Sequence, residues 1–209
     1  MKDMCTVQVV LSAYDDFPLH QTSHPVARTA SSDINHYDRY FFNGYSRRQD
    51  GDDALYFAAA MGLYPNRHVA DASFSVVLGG AEQLSVHASR RAPHDRREAN
   101  QVGPIEVEVV EPLRTLRIRV DAPNEGLRAE LTFRARSAAL EEPHFFHQSG
   151  SRVVLDYTRL TQFGRWEGWI EAGGKRFQCS PATAKKWTAR YLICGEAGMA
   201  DVSSRPRRS

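Results

Sequence analysis

Two stretches of the chain set carboxylates and guanidinium groups among large rings: YDRYFFNGYSR at 37–47 and DYTRLTQFGRWEGW at 156–169. A third, VHASRR at 86–91, adds His87 and Arg90. A few oriented polar groups in an apolar setting are the ordinary make-up of a small-molecule site. On that reading a ligand meets Tyr37, Arg39, Tyr40, Phe41, Arg90, Tyr157, Gln162, Arg165 and Trp166, and the catalytic candidates are Asp38, Asp156 and His87. Asp38 or Asp156 serves as an acid if burial raises its pKa towards neutrality. The same residues also suit plain strands, where aromatics are favoured. As a strand, 37–44 puts Tyr37, Arg39, Phe41 and Asn43 on one face and Asp38, Tyr40, Phe42 and Gly44 on the other. Each face then carries rings and one charge, so one of Asp38 and Arg39 is expected to point into a cavity and the other to be structural.

Several other chemistries lack their residues. His144 and His147 lie three apart, which on a strand sends them to opposite faces, and no metal site is expected. No G-x-S-x-G elbow, G-x-G-x-x-G or phosphate loop occurs, so neither a serine hydrolase nor a nucleotide cofactor is expected. Lys plus Arg is 27 against 25 for Asp plus Glu, a formal charge of +2, too balanced for a nucleic-acid partner. Three widely spaced cysteines form no disulfide framework. No stretch reaches the roughly 18 apolar residues of a membrane span. The apolar patch Val7 to Leu11 is too short for a signal peptide, and the expected location is cytoplasmic.

The elements that must position these residues read as strands. Residues 1–34 form an extended lead-in, 35–179 a β-barrel-like domain, and 180–209 a short helix started by Ser180-Pro181 and followed by a basic tail. Period-two alternation is clearest from 105 to 136. Ile105, Val107 and Val109 oppose Glu106 and Glu108; Leu116, Ile118 and Val120 oppose Arg117 and Arg119; Leu127 to Ala135 oppose Arg128 to Arg136. Glu-x-Glu on one strand is expected to meet Arg-x-Arg on its neighbour. Turns fall at Pro65-Asn66, Gly79-Gly80, 122–126 and Gly173-Gly174. About ten strands with short turns predict an all-β fold, an antiparallel meander curled into a barrel or half-barrel.

The blocks DDFPLHQ (15–21), YDRYFFNGYS (37–46), GLYPNR (62–67), SVHASRRAP (85–93), VGPIEVEVVEPLRTLRIRVDAPNEGL (102–127), LTFRAR (131–136), EEPHF (141–145) and DYTRLTQFGRWEGWI (156–170) resemble an uncharacterised bacterial family. That family is similar to the lipocalin-like carotenoid 1,2-hydratase and AttH group. The resemblance runs from about 15 to 178 and implies a calycin-like barrel holding an isoprenoid, steroid or lipid-like molecule. It also implies hydratase or cyclase chemistry, in which an acid protonates an alkene, ring faces hold the carbocation and water adds. His87 or Arg90 would orient the ligand or the water. The alternative is a carrier that holds the ligand unchanged. The resemblance further implies a second β-rich half, so that the chain is read either as a truncated or frameshifted product or as one partner of a homodimer.

Overall fold

The computed structural model describes residues 11–20, 29, 31–46, 54–92, 98 and 100–179. The expected helix and tail at 180–209 lie outside these residues, as do 1–10 of the lead-in. Among the described residues the chain is built of strands and 3-10 turns, and no helix is long and apolar enough to cross a membrane.

Fourteen strands follow in order: β1 (Asp38–Ser46), β2 (Leu55–Tyr64), β3 (Val69–Leu78), β4 (Glu82–Arg91), β5 (Gln101–Val102), β6 (Ile105–Glu111), β7 (Thr115–Ala122), β8 (Leu127–Ala135), β9 (Leu140–Glu141), β10 (Phe145–Ser149), β11 (Arg152–Tyr157), β12 (Leu160–Thr161), β13 (Gly164–Ala172) and β14 (Lys175–Cys179). All pair antiparallel. They form a four-stranded sheet, β1-β2-β3-β4, and a six-stranded sheet, β14-β13-β8-β7-β6-β5, with two small ribbons, β10-β11 and β9-β12, between β8 and β13 in the chain. The surplus over ten strands comes mostly from two-residue pairings, too short to alternate visibly.

The expected turns are present. Pro65–Arg67 and Pro123–Glu125 each make one 3-10 turn closed by a left-handed residue, His68 and Gly126. In the lead-in, Ala13–Asp16 is a 3-10 turn rather than extended chain, because Ser12 and Asp15 form a capping box.

The wall is two faced sheets, not one closed ring. Inward residues of the first sheet (Phe57, Met61, Phe74, Val76) and of the second (Ile105, Ile118, Leu131, Ile170) belong to one buried core. Each such side chain withdrawn from water contributes about 1.5–3 kcal/mol. Trp166 on β13 joins the sheets. Its ring meets Phe57 edge-on at 5.2 Å, Phe133 at 5.2 Å and Phe42 at 6.0 Å, and its Nε1 donates to the Asn43 carbonyl at 2.9 Å. A side-chain bond therefore takes up an edge group of β1 where a neighbouring strand would have closed a barrel. Gly44 makes this approach possible, since a Cβ there would stand 2.3 Å from the Phe57 ring and 2.9 Å from Trp166.

On the outer face of the six-stranded sheet the acid and arginine stripes meet as expected. Glu106 pairs in register with Arg119 and Glu108 with Arg117, with N–O distances of 2.9 and 3.1 Å.

Candidate functional site

One cluster brings an imidazole together with two carboxylates. It is assembled from the turn before β1, the start of β1 and the residues after β11. Asp16 is buried, and its carboxylate accepts the Leu113 N–H. Burial raises the Asp16 pKa, the Leu113 N–H opposes that, and the charge of Asp15 adds to it. The Tyr40 hydroxyl donates to the Asp16 carbonyl at 2.8 Å. These bonds fix the turn, so that Leu19 N–H donates to Asp38 Oδ2 at 2.5 Å while Arg39 N–H donates to Asp38 Oδ1 at 2.8 Å. Asp38 is thereby fixed at both oxygens.

His20 follows directly. Its Nδ1 stands 3.5 Å from Asp38 Oδ2, its Nε2 2.8 Å from Thr158 Oγ1 and 3.9 Å from Asp15 Oδ1. The side chains are 8 % exposed for His20 and 15 % for Asp38, a partly desolvated pair. Burial pulls the His20 pKa down, but Asp38, Asp15 and the Phe17 backbone outweigh it, and the net shift is upward. An imidazole with one nitrogen facing a carboxylate and the other a hydroxyl can give and take a proton at Nε2. Leu11, Asp15, Thr158, Arg159 and Leu160 close around His20 and leave no room for a water molecule.

A second imidazole lies just before β1. His36 is 1 % exposed, and its Nε2 has no hydrogen-bond partner. Burial lowers its pKa, against the charges of Asp38, Asp156 and Asp33. β11 is tied to this segment by Arg152 Nε donating to Asp33 Oδ2 at 2.5 Å and by Ser31 Oγ donating to the Val153 carbonyl at 3.1 Å. Further along β11, Asp156 Oδ1 meets His144 Nε2 at 2.6 Å, and Tyr157 stacks on Phe145 at 5.1 Å with the Arg159 guanidinium over its ring.

Of the residues singled out in the sequence, Asp38 faces His20, Asp156 faces His144 and Tyr157 stacks on Phe145. The others lie elsewhere or serve packing. Tyr40 stacks on Phe42, and Trp166 is spent between the sheets. Arg39 lies 5.1 Å over the Tyr37 ring, with Nη2 donating to the Tyr64 hydroxyl. Phe41 and His87 are exposed and belong to one cross-strand row on the outer face, through Ala60 and Ser73. Arg90 Nε donates to the Gln101 carbonyl, tying β4 to β5. Gln162 Nε2 donates to the carbonyls of Leu113 and Ser137, and so holds a turn in which Leu113 has a φ of 60°. Arg165 stands opposite Arg134 on β8, with its Nε buried and unpartnered. Among the described residues no group of three or more His, Cys, Asp or Glu could hold a metal ion.

Sequence reasoning missed His20, His36 and Thr158. DDFPLHQ did hold a signal, an acid pair and a histidine around a proline turn, but nothing in it marked Thr158 as the partner. No curated protein and no solved structure matches the chain. The model of a family of unknown function, DUF8625, matches residues 11–203, and the chain belongs to that family.

Proposed function

We propose that the chain is an acid–base enzyme acting on a small, largely apolar molecule, with His20 as the proton-transfer group. The observation that carries this is His20 itself, a largely buried imidazole with Nδ1 3.5 Å from Asp38 and Nε2 2.8 Å from the Thr158 hydroxyl. Asp38 favours the charged imidazolium, and Thr158 Oγ1 marks where a proton-accepting atom meets Nε2. Leu11 and Leu160 are the apolar neighbours of His20, and they leave no free space, so a ligand must displace them to reach Nε2. Hydratase-like chemistry fits this arrangement. Nε2 gives its proton to an alkene carbon, water adds to the resulting cation, and the proton lost by that water returns to Nε2. Asp38 is then the positioning carboxylate rather than the acid. Asp15 is the second carboxylate of the cluster.

The space between the sheets is occupied by Phe57, Phe74, Phe133 and Trp166, so the reading places the ligand at the His20 cluster rather than between the sheets. A thermal-shift screen of terpenoids, steroids and fatty acids identifies binders, and mass spectrometry follows their conversion by wild type and His20→Asn. Conversion that disappears in His20→Asn is expected. Conversion unchanged in that variant overturns the assignment, and binding with every ligand left intact by the wild type makes the chain a carrier.

A further inference from the structure

The outer faces of the two sheets differ in kind. That of the six-stranded sheet is laid with ion pairs, Glu106 to Arg119, Glu108 to Arg117 and Arg134 to Glu167, as suits a solvated surface. That of the four-stranded sheet carries rings. Phe41 and Tyr45 of β1 are 62 % and 64 % exposed, and Tyr56 and Val69 are exposed on the same face. A grouped apolar patch of this kind marks an interaction surface. The strand register sets the patch out in rows: Tyr45, Tyr56 and Val77; Phe41, Ala60 and Ser73; Arg39, Gly62 and Asp71. Bulky side chains therefore stand along β1, while Ala58, Ala60, Gly62, Ser73 and Ser75 make a low floor on β2 and β3. The Ser75 and Ser85 hydroxyls bond each other at 2.9 Å, so this part of the floor can be covered without stranding them.

We propose that the chain forms a homodimer through this face, with β1 of each copy seated on β3 of the other. A ridge beside a trough is self-complementary under a two-fold axis. An axis running along β2 lays each row over the same row of the second copy. Phe41 then covers Ser73 of the partner subunit, Tyr45 covers Val77 of the partner subunit, and Arg39 faces Asp71 of the partner subunit. Charge is thus matched twice, once on each side of the axis. Asp71 already reaches over the central strand, since a Cβ on Gly62 would stand 2.8 Å from its Oδ1. Where β2 meets its own copy, Ala58, Ala60 and Gly62 let the two sheets come close. The face is four strands wide and up to ten residues long, roughly 600 Å² in plan at the usual strand spacing and rise. Side-chain relief brings this to the order of the about 800 Å² that each partner buries in a stable pair. The free edge of β1 is less suited to the task, because Trp166 Nε1 donates to the Asn43 carbonyl there.

Sedimentation equilibrium of the full chain at about 10–100 μM reads the assembly directly. Wild type is expected at twice the mass of one chain. Phe41→Glu is expected to weaken the dimer by about a hundredfold or more. Arg39→Asp and Asp71→Arg are each expected to weaken it by about tenfold, and the double exchange to recover most of that loss. Circular dichroism checks that each variant is folded. Should Phe41→Glu fail to fold, the exchange series decides alone, since Arg39 is exposed and lies outside the core. A wild-type monomer overturns the proposal. Tyr45 shielded from nitration in that monomer would give the face to a segment of the same chain, and Tyr45 open to nitration would leave it to a different partner. A dimer indifferent to Phe41→Glu lies on another surface and overturns the proposal as well. A double exchange no better than either single one overturns the seating of β1 on β3.

Discussion

Asp38 ties the lead-in to β1 with both of its oxygens. It accepts the N–H groups of Leu19 and Arg39 and faces His20. In Asp38→Asn one of those N–H groups meets an amide NH2 instead of an acceptor. The expected loss is about 1–3 kcal/mol, read from urea unfolding, and an unchanged midpoint would show that neither bond matters to the fold. Tyr40→Phe leaves the Asp16 carbonyl without its hydroxyl donor and is expected to cost about 1 kcal/mol in the same assay. At this scale the sequence revealed the acids but not their partners. Asp38 and Asp156 stood out because rings surround them in the chain. His20 did not, since Thr158, which meets its Nε2, is 138 positions away. A ring-rich segment also says nothing about which rings are used for packing: Trp166 looked like a pocket wall and is the bridge between sheets.

Strands were the legible elements, because period-two alternation records directly which side chains are buried. Ile105 and Ile118 are fully buried in the core, and the acid and arginine stripes opposite them pair in the expected register. Arg119 reaches both Glu106 and Glu108 at 2.9 Å, yet these groups are some 40 % exposed. Arg119→Ala is therefore expected to cost no more than about 1 kcal/mol, and less in high salt, when unfolding is compared at low and high ionic strength. β13 carries a sharper constraint. Gly168 has a φ of 128°, and a Cβ there would stand 2.0 Å from the Glu130 carbonyl oxygen. Gly168→Ala is expected to destabilise by about 1–3 kcal/mol or to distort the β8–β13 pairing, visible in amide chemical shifts. β1 was ambiguous in sequence because both of its faces carry rings. In the fold, Tyr40 and Phe42 pack against the core and Asp38 stands at its end, while Arg39 goes outward to Tyr37 and Tyr64.

Sheet order and closure were beyond sequence periodicity, which reports faces and not neighbours. Nothing in the alternation of β8 announces that its partner is β13, or that β4 and β5 belong to different sheets. Closure depends on contacts such as Trp166 to Asn43, made between distant positions. The His20 cluster depends on closure in the same way, and its pH response follows from its charges. The Arg152 hydrogen bond, the Asn35 N–H and the charge of Arg152 lower the Asp33 pKa below its ordinary 3.8. Its contribution to stability is present above that value and is lost as pH falls through the folded pKa. Arg152→Ala is expected to flatten the acid-side fall in melting temperature, and an unchanged profile would remove Asp33 from the account. His20 has the opposite sign: with its pKa raised above the ordinary 6.5, its contribution is complete below that value and is lost as pH rises through the folded pKa. The most direct test of the acid–base site is therefore a 15N NMR titration of the His20 ring in wild type and Asp38→Asn. The account predicts a wild-type midpoint above the ordinary imidazole value that falls in Asp38→Asn. A midpoint at or below the ordinary value in wild type, unmoved by the substitution, would contradict it.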